Sequence, residues 1–106
     1  MKPIEFEGDS LVRLREFPKN ARRSAGYQLD RVQRGLEPDD WKPTRAIGTG
    51  VRELRIRDRS GAFRVMYVAT LAERVVVLHA FQKKTQRTAK RDIDLAARRF
   101  RELRKD

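Results

Sequence analysis

Residues 51–88, VRELRIRDRSGAFRVMYVATLAERVVVLHAFQKKTQRT, constrain this chain more than any other stretch, because they read as three consecutive strands. Leu54 and Ile56 alternate with Glu53, Arg55 and Arg57, and Phe63, Val65 and Tyr67 alternate with Arg64, Met66 and Val68. Such period-two alternation is the mark of a half-buried strand. Asp58-Arg59-Ser60-Gly61 supplies the turn between the first two. Val75-Val76-Val77-Leu78 is a continuous, mostly β-branched run, as expected of a strand covered on both faces inside a sheet. Arg52, Arg55, Arg57 and Arg64 recur in the first two strands, and Lys83 and Lys84 follow the third. Hairpin pairing brings such charges side by side, which is destabilising unless an anion meets them. The pattern predicts a phosphate-binding surface.

The flanking segments read as one short strand and three helices. Ile4 and Phe6 alternate with Glu5 and Glu7, and Gly8-Asp9 ends that strand. Ser10 is placed to cap a helix in which Leu11 and Leu14 share a face up to Phe17. Pro18 disfavours helical geometry at Phe17 and suits the first turn of a second helix. Along that helix Ala21, Ala25, Leu29, Val32 and Leu36 recur at spacings of three and four, and Gly35 marks its end. Residues 37–50 hold two prolines, two glycines and Trp41 without a period, which predicts a connecting loop. Trp41 is expected to pack that loop on the core rather than to stack a base. Ile93, Ala96, Ala97, Phe100 and Leu103 mark one face of a final helix, with Thr88 as N-cap and Asp92 and Asp94 near the positive end of its dipole. Arg98, Arg99, Arg101, Arg104 and Lys105 form its solvated face. The predicted order is β-α-α-β-β-β-α, an α+β fold.

At 106 residues the chain has the usual length of one domain with one modest core, spanning 1–106. Twenty-six Lys and Arg against fifteen Asp and Glu leave a net charge of +11, which points to a polyanionic partner, nucleic acid first. The excess lies towards the C-terminus: residues 1–50 carry ten basic and eight acidic groups, residues 83–106 ten and four. No cysteine occurs, which removes disulfides, thiolate metal sites and a cysteine nucleophile. One histidine and scattered carboxylates argue against a metal site, and no cofactor is expected. The start MKPIEFEGD lacks an apolar h-region, and no apolar run approaches a membrane span. A soluble, unprocessed, cytoplasmic protein without a membrane partner is expected.

VRELRIRDRSGAFRVMYVA followed by VVVLHAFQKKTQRTAKRDIDLAARR resembles the toxins of the RelE/ParE superfamily, in particular the HigB-like branch of phage-related proteins in bacterial toxin–antitoxin pairs. The resemblance covers most of the chain and is strongest in the ELRIR…GAFRV hairpin and in HAFQKKTQRT. It implies a RelE-like fold, a curved antiparallel sheet backed by two helices and followed by a C-terminal helix. It further implies ribosome-dependent cleavage of messenger RNA, and a hetero-oligomer with a helix-turn-helix antitoxin that silences the toxin. Arg55, Arg57 and Arg64 fall where the family places its sheet cations, and Lys83 and Lys84 where it places basic residues after the last strand. Two positions depart from the pattern. No tyrosine follows Tyr67, whereas several ribosome-dependent members use a C-terminal one, and Glu53 stands where some members have a further lysine.

RNA cleavage without metal needs the substrate's 2′-hydroxyl, proton transfer and stabilisation of charge on the phosphorane. Arginine stays protonated and presents a planar donor fork, so Arg55, Arg57 and Arg64 suit holding the phosphate. Lys83 or Lys84, crowded by those arginines, should lose its proton more easily than a free lysine and could serve as base or acid. Arg57, Arg64, Lys83 and Lys84 are therefore the candidate catalytic residues, with Arg55, Arg59, Lys90 and Arg91 as RNA contacts. His79, the one histidine, is the alternative acid–base group. Its apolar neighbours fit a partly buried histidine bonded to backbone better. Tyr67 alternates with core positions, with its hydroxyl expected at the edge of the site. The sheet arginines also admit a plain reading, as surface charges whose aliphatic stems cover the sheet. Three functions fit these residues: a ribosome-dependent endoribonuclease, a gyrase-binding toxin on the same scaffold, or a basic binding module without catalysis. The paired lysines and sheet arginines favour the first.

Overall fold

A computed structural model of the chain describes residues 1–103. Its elements run β1 (Ile4–Phe6), α1 (Ser10–Arg15), α2 (Lys19–Gln33), β2 (Trp41–Pro43), β3 (Val51–Asp58), β4 (Gly61–Val68), β5 (Val75–Lys83) and α3 (Lys90–Leu103). The strands form one five-stranded sheet in the order β1-β5-β4-β3-β2. β2 to β5 pair antiparallel, but β1 runs parallel to β5, from Ile4 opposite Val75 to Phe6 opposite Val77. The α+β class is as expected, and the sheet is mixed rather than antiparallel. β2 is the other addition: Trp41–Pro43 lies within the predicted loop and pairs with Arg52–Leu54 as a three-residue edge strand, too short to show an alternation.

Alternation along the strands sorts side chains onto two faces. Leu54, Ile56, Phe63, Val65, Tyr67, Val75, Val77 and Ala80 meet Leu14, Phe17, Ala21, Ala25, Leu29 and Val32 of the N-terminal helical segment. Val51, Met66, Val68, Val76, Leu78 and Phe81 meet Ala96, Ala97 and Phe100 of α3, with Ile47 from the loop before β3. Val75 to Leu78 are wholly buried, because both faces of β5 are covered. The β4–β5 ladder skips Leu78 between the Tyr67–Val77 and Met66–His79 pairs, a bulge that restarts the alternation for the second half of β5.

Several local expectations change once tertiary contacts compete. Ser10 is not a cap but the first residue of α1, and its buried hydroxyl donates to the Val77 carbonyl at 3.3 Å. Thr88 does not cap α3 either: the helix starts at Lys90, with Asp92 N–H bonded to the Ala89 carbonyl, and the Thr88 hydroxyl is used elsewhere. Leu36 is half exposed beyond the end of α2, which stops before Gly35, where φ is +81°. Arg99 leaves the solvated row of α3, donating to the Leu78 carbonyl and pairing with Asp9, each at 2.8 Å. Arg98 and Arg101 are exposed as expected; Arg104 and Lys105 lie outside the described residues. The Arg99 and Arg13 guanidiniums hold the Asp9 carboxyl down at about 2. A depressed carboxylate stabilises the fold above its unfolded value of 3.8, and that contribution fades as pH falls through about 2.

The loop before β3 closes tightly on α3. A Cβ at Gly48 would stand 2.2 Å from Phe100 Cε2 and 2.6 Å from Cδ2, inside a ring that is itself core. Gly48→Ala is therefore expected to destabilise the protein by about 1–3 kcal/mol through overpacking. Urea denaturation measures it, and an unchanged midpoint would show that the loop can retreat from the ring.

Candidate functional site

The α3-facing side of the sheet has two halves. Near Val51 it is apolar and covered by α3; towards the β3–β4 turn it is open and charged. Register fixes the charged half row by row. Arg57 lies opposite Ala62, and Ala62 opposite Lys83; one row in, Arg55 lies opposite Arg64, and Arg64 opposite Phe81; the next row is Glu53, Met66 and His79. Neighbouring strands are about 4.8 Å apart, so the cations crowd one patch. The small Ala62 between Arg57 and Lys83 leaves a dip flanked by positive charge.

Beneath this patch is a carboxylate. The Glu53 side chain is only 1% exposed. Its Oε1 accepts from the Thr88 hydroxyl at 2.8 Å, and its Oε2 lies 3.4 Å from the Lys42 ammonium on β2. Arg64 Nε stands 3.6 Å from Oε1, an ion pair too long for a hydrogen bond. Arg64 instead donates through Nη1 to the Phe63 carbonyl at 3.0 Å. Arg55 pairs loosely with Asp40, at 3.8 Å. The buried Nε atoms of Arg55 and Arg64 have no hydrogen-bond partner among the described residues. Unmet donors in a cationic patch are what an incoming oxyanion would satisfy.

Burial pushes the Arg64 guanidinium below the ordinary arginine value; Glu53 opposes that shift, while Arg55 and Arg57 add to it. Arginine does not deprotonate in proteins, so the cost of burying this one is met by the Phe63 carbonyl and Glu53, and a bound anion would lower it further. Lys83 is also lowered from 10.5, first by desolvation, then by Arg64, against the pull of Glu53. A lysine so placed can shed its proton and take another, which the arginines cannot.

Residues 13–101 match the model of the family described as Phage derived protein Gp49-like (DUF891). The chain belongs to this Gp49-like family. It is a phage-derived, toxin-like family, and every residue of the cation patch falls within the match. No curated protein matches the chain. Among the described residues no group of three or more His, Cys, Asp or Glu could hold a metal ion, and no helix is long and apolar enough to cross a membrane.

Of the residues singled out from this Gp49-like sequence, the fold gathers Arg55, Arg57, Arg64 and Lys83. The others are dispersed. Arg59 is exposed in the β3–β4 turn, and Lys90 is exposed and paired with Asp94 at 3.0 Å. Lys84 and Arg91 lie off the patch, in a cleft between α1 and α3 that adjoins it and shares Lys83 with it. Arg52 points to the opposite face, where its guanidinium lies 3.8 Å over the half-buried Trp41 ring and pairs with Glu37 at 2.8 Å. Tyr67 is core as expected, but its hydroxyl shares that opposite face and does not reach the patch. His79 is buried as expected, yet bonded to the Asp92 carboxylate at 2.8 Å rather than to backbone. Burial lowers its pKa more than Asp92 raises it, so it is a neutral ring whose Nε2–H donates.

Arg64 is buried, not on the sheet surface as its alternation suggested, because Phe81 and the Glu53 row surround it. Arg64→Ala would therefore test stability together with the site. The sequence reading did not place Glu53, Lys42 or Thr88 at the site: Glu53 stood there only as a departure from a family lysine, and Thr88 as a helix cap. Their one visible trace is a carboxylate in the same-face stripe Val51-Glu53-Arg55-Arg57. Glu53→Gln keeps the Thr88 hydrogen bond but leaves Arg64 buried without its counter-charge, so a loss of about 3–5 kcal/mol is expected. A loss below about 1 kcal/mol in denaturant titration would show that Arg64 does not depend on Glu53.

Proposed function

We propose that this Gp49-like chain is the toxin of a toxin–antitoxin pair, a cytoplasmic single-domain endoribonuclease that cuts messenger RNA on the ribosome without metal. The observation that carries this reading is the row-by-row gathering of Arg57, Arg64, Arg55 and Lys83 around Ala62, with unmet guanidinium donors. A helix-turn-helix antitoxin, bound in a hetero-oligomer, would keep it silent, as the RelE/HigB resemblance implies.

In the proposed reaction the 2′-oxygen attacks the adjacent phosphorus as the bond to the 5′-oxygen breaks, leaving a 2′,3′-cyclic phosphate and a 5′-hydroxyl. Lys83, once deprotonated, takes the 2′-hydroxyl proton; desolvation and the nearby Arg64 make its ammonium give up a proton more readily than a free lysine. Water or the protonated lysine returns a proton to the leaving oxygen. Arg57 and Arg64 stabilise charge on the non-bridging oxygens, and Arg55 holds the strand. Lys84 lies one residue past the last paired position of β5, and the Nε2 proton of His79 is committed to Asp92, so neither is as well placed.

Purified chain added to translating ribosomes should yield mapped cuts in messenger RNA. Arg57 is exposed, so Arg57→Ala should stay folded and lose about 10²–10³ in rate. Lys83→Arg keeps charge but not proton exchange; it should bind ribosomes like the parent, cleave far more slowly, and lose the rise of rate with pH below 10.5. Intact RNA with collapsing DNA supercoiling would assign the gyrase reading instead, and intact RNA with unimpaired growth the binding-module reading.

A further inference from the structure

Beside the cation patch, on the other side of Lys83, the sheet has an unfinished edge. β1 pairs only with Val75–Val77, so no strand covers Leu78–Lys83 on that side among the described residues. α1 and the first turns of α3 flank the open edge and enclose a cleft of about 740 Å³. Its floor is aromatic. Phe17 and Phe63 contact each other at 4.8 Å on one face of the strand, and Phe81 stacks on His79 at 4.9 Å on the other. Exposed Arg13, Lys84 and Arg91 stand around it, outnumbering the Glu16 and Asp92 that also line it; Arg13 pairs with Asp9 at 3.1 Å, and Lys83 belongs to both cleft and patch.

We propose that this cleft is a nucleotide-binding subsite, which receives the RNA nucleotide adjoining the phosphate held at Arg57, Arg64 and Lys83. The base lies against the aromatic floor, and its flanking phosphate meets Arg13, Lys84 and Arg91. This rests on the RNA reading above and extends it from one phosphate to a stretch of strand. Three features of the cleft favour a nucleotide. Single-stranded RNA is held by base contact with aromatic side chains inside a cationic groove; here cations surround the cleft, and its floor is made of the edges of otherwise buried rings, Phe81 the least covered at 9% exposed. An unpaired strand edge offers backbone N–H and C=O groups in the plane where a base presents its own donors and acceptors. His79 adds a buried ring nitrogen, Nδ1, that has no partner while Nε2–H is committed to Asp92. An extended peptide could also pair with that edge, but the shared Lys83 and the basic surround favour RNA.

The probes are a labelled 2′-O-methyl RNA hexamer of mixed sequence, which cannot be cleaved, and inorganic phosphate. The parent should bind both, seen by fluorescence anisotropy and by shifts of the Arg64 and Lys83 side-chain resonances. Arg13→Glu with Lys84→Glu should weaken hexamer binding about tenfold or more at fixed salt while leaving phosphate binding within about twofold. The same change of charge at Arg23 on α2 and Arg34 just past its end controls for net charge and should leave the hexamer within about twofold. Hexamer binding unchanged in the cleft variant, or weakened equally in the control, overturns the subsite while the RNA reading stands. A parent that binds neither probe overturns both. An acidic peptide that shifts the Ala80–Lys83 amides where the hexamer does not would assign the cleft to a protein partner and overturn the proposal.

Discussion

Taking the Glu53 carboxylate out of water costs several kcal/mol unless charges and hydrogen bonds replace its hydration. The replacements come from three directions: Lys42 on β2, Arg64 on β4, and Thr88 in the segment leading to α3. One buried charge thereby ties the edge strand, the central hairpin and the start of the last helix to a single point. It also sets the sign of the surface. Glu53 offsets part of the charge of Arg64 and Lys42, while Arg55, loosely paired with Asp40 at 3.8 Å, Arg57 and Lys83 leave an excess of positive charge around it. The fold can tolerate that excess because most of these heads reach water, and a bound polyanion would relieve it.

The bulge in β5 does the corresponding work for the last helix. By skipping Leu78 it frees that carbonyl for Arg99, whose other nitrogen reaches Asp9 at the start of α1. α3 is thus held against the opposite end of the chain by a guanidinium that is nearly buried. With α1 on one side and α3 on the other, the uncovered half of β5 becomes the floor of a cleft instead of an open sheet edge. Edges of that kind invite pairing with other chains, and a charged surround blunts them.

Membership of the Gp49-like family and an α+β fold with a mixed sheet do not by themselves fix a reaction, since one scaffold hosts several activities. The site carries the argument. A merely solvated basic face would spread its charges; here guanidiniums are partly buried with donors unmet, and one lysine is moved towards titration. Those features impose a cost on the isolated protein, and such costs gather where a ligand or a developing charge is to be met.

Much of the architecture was legible in the chain because its causes are local. Alternation in Glu53–Arg57 and Phe63–Val68 set the hairpin, the Val75–Leu78 run set a strand covered on both faces, and the spacing of Ile93, Ala96, Ala97 and Phe100 set the buried side of α3. The same alternation placed Arg55, Arg57 and Arg64 on one face and should have placed Arg52 and Tyr67 on the other. What the tertiary structure alone decided is long-range. β1 could join β5 in parallel, Ser10 and Thr88 could leave their caps for Val77 and Glu53, and His79 could find Asp92 only after distant segments had met. Periodicity reports which side of its own element a residue faces. Whether that side is covered, and by which charge, depends on contacts between residues far apart in the chain, which is why Arg64 reads as surface in the sequence and is buried beside Glu53 in the fold.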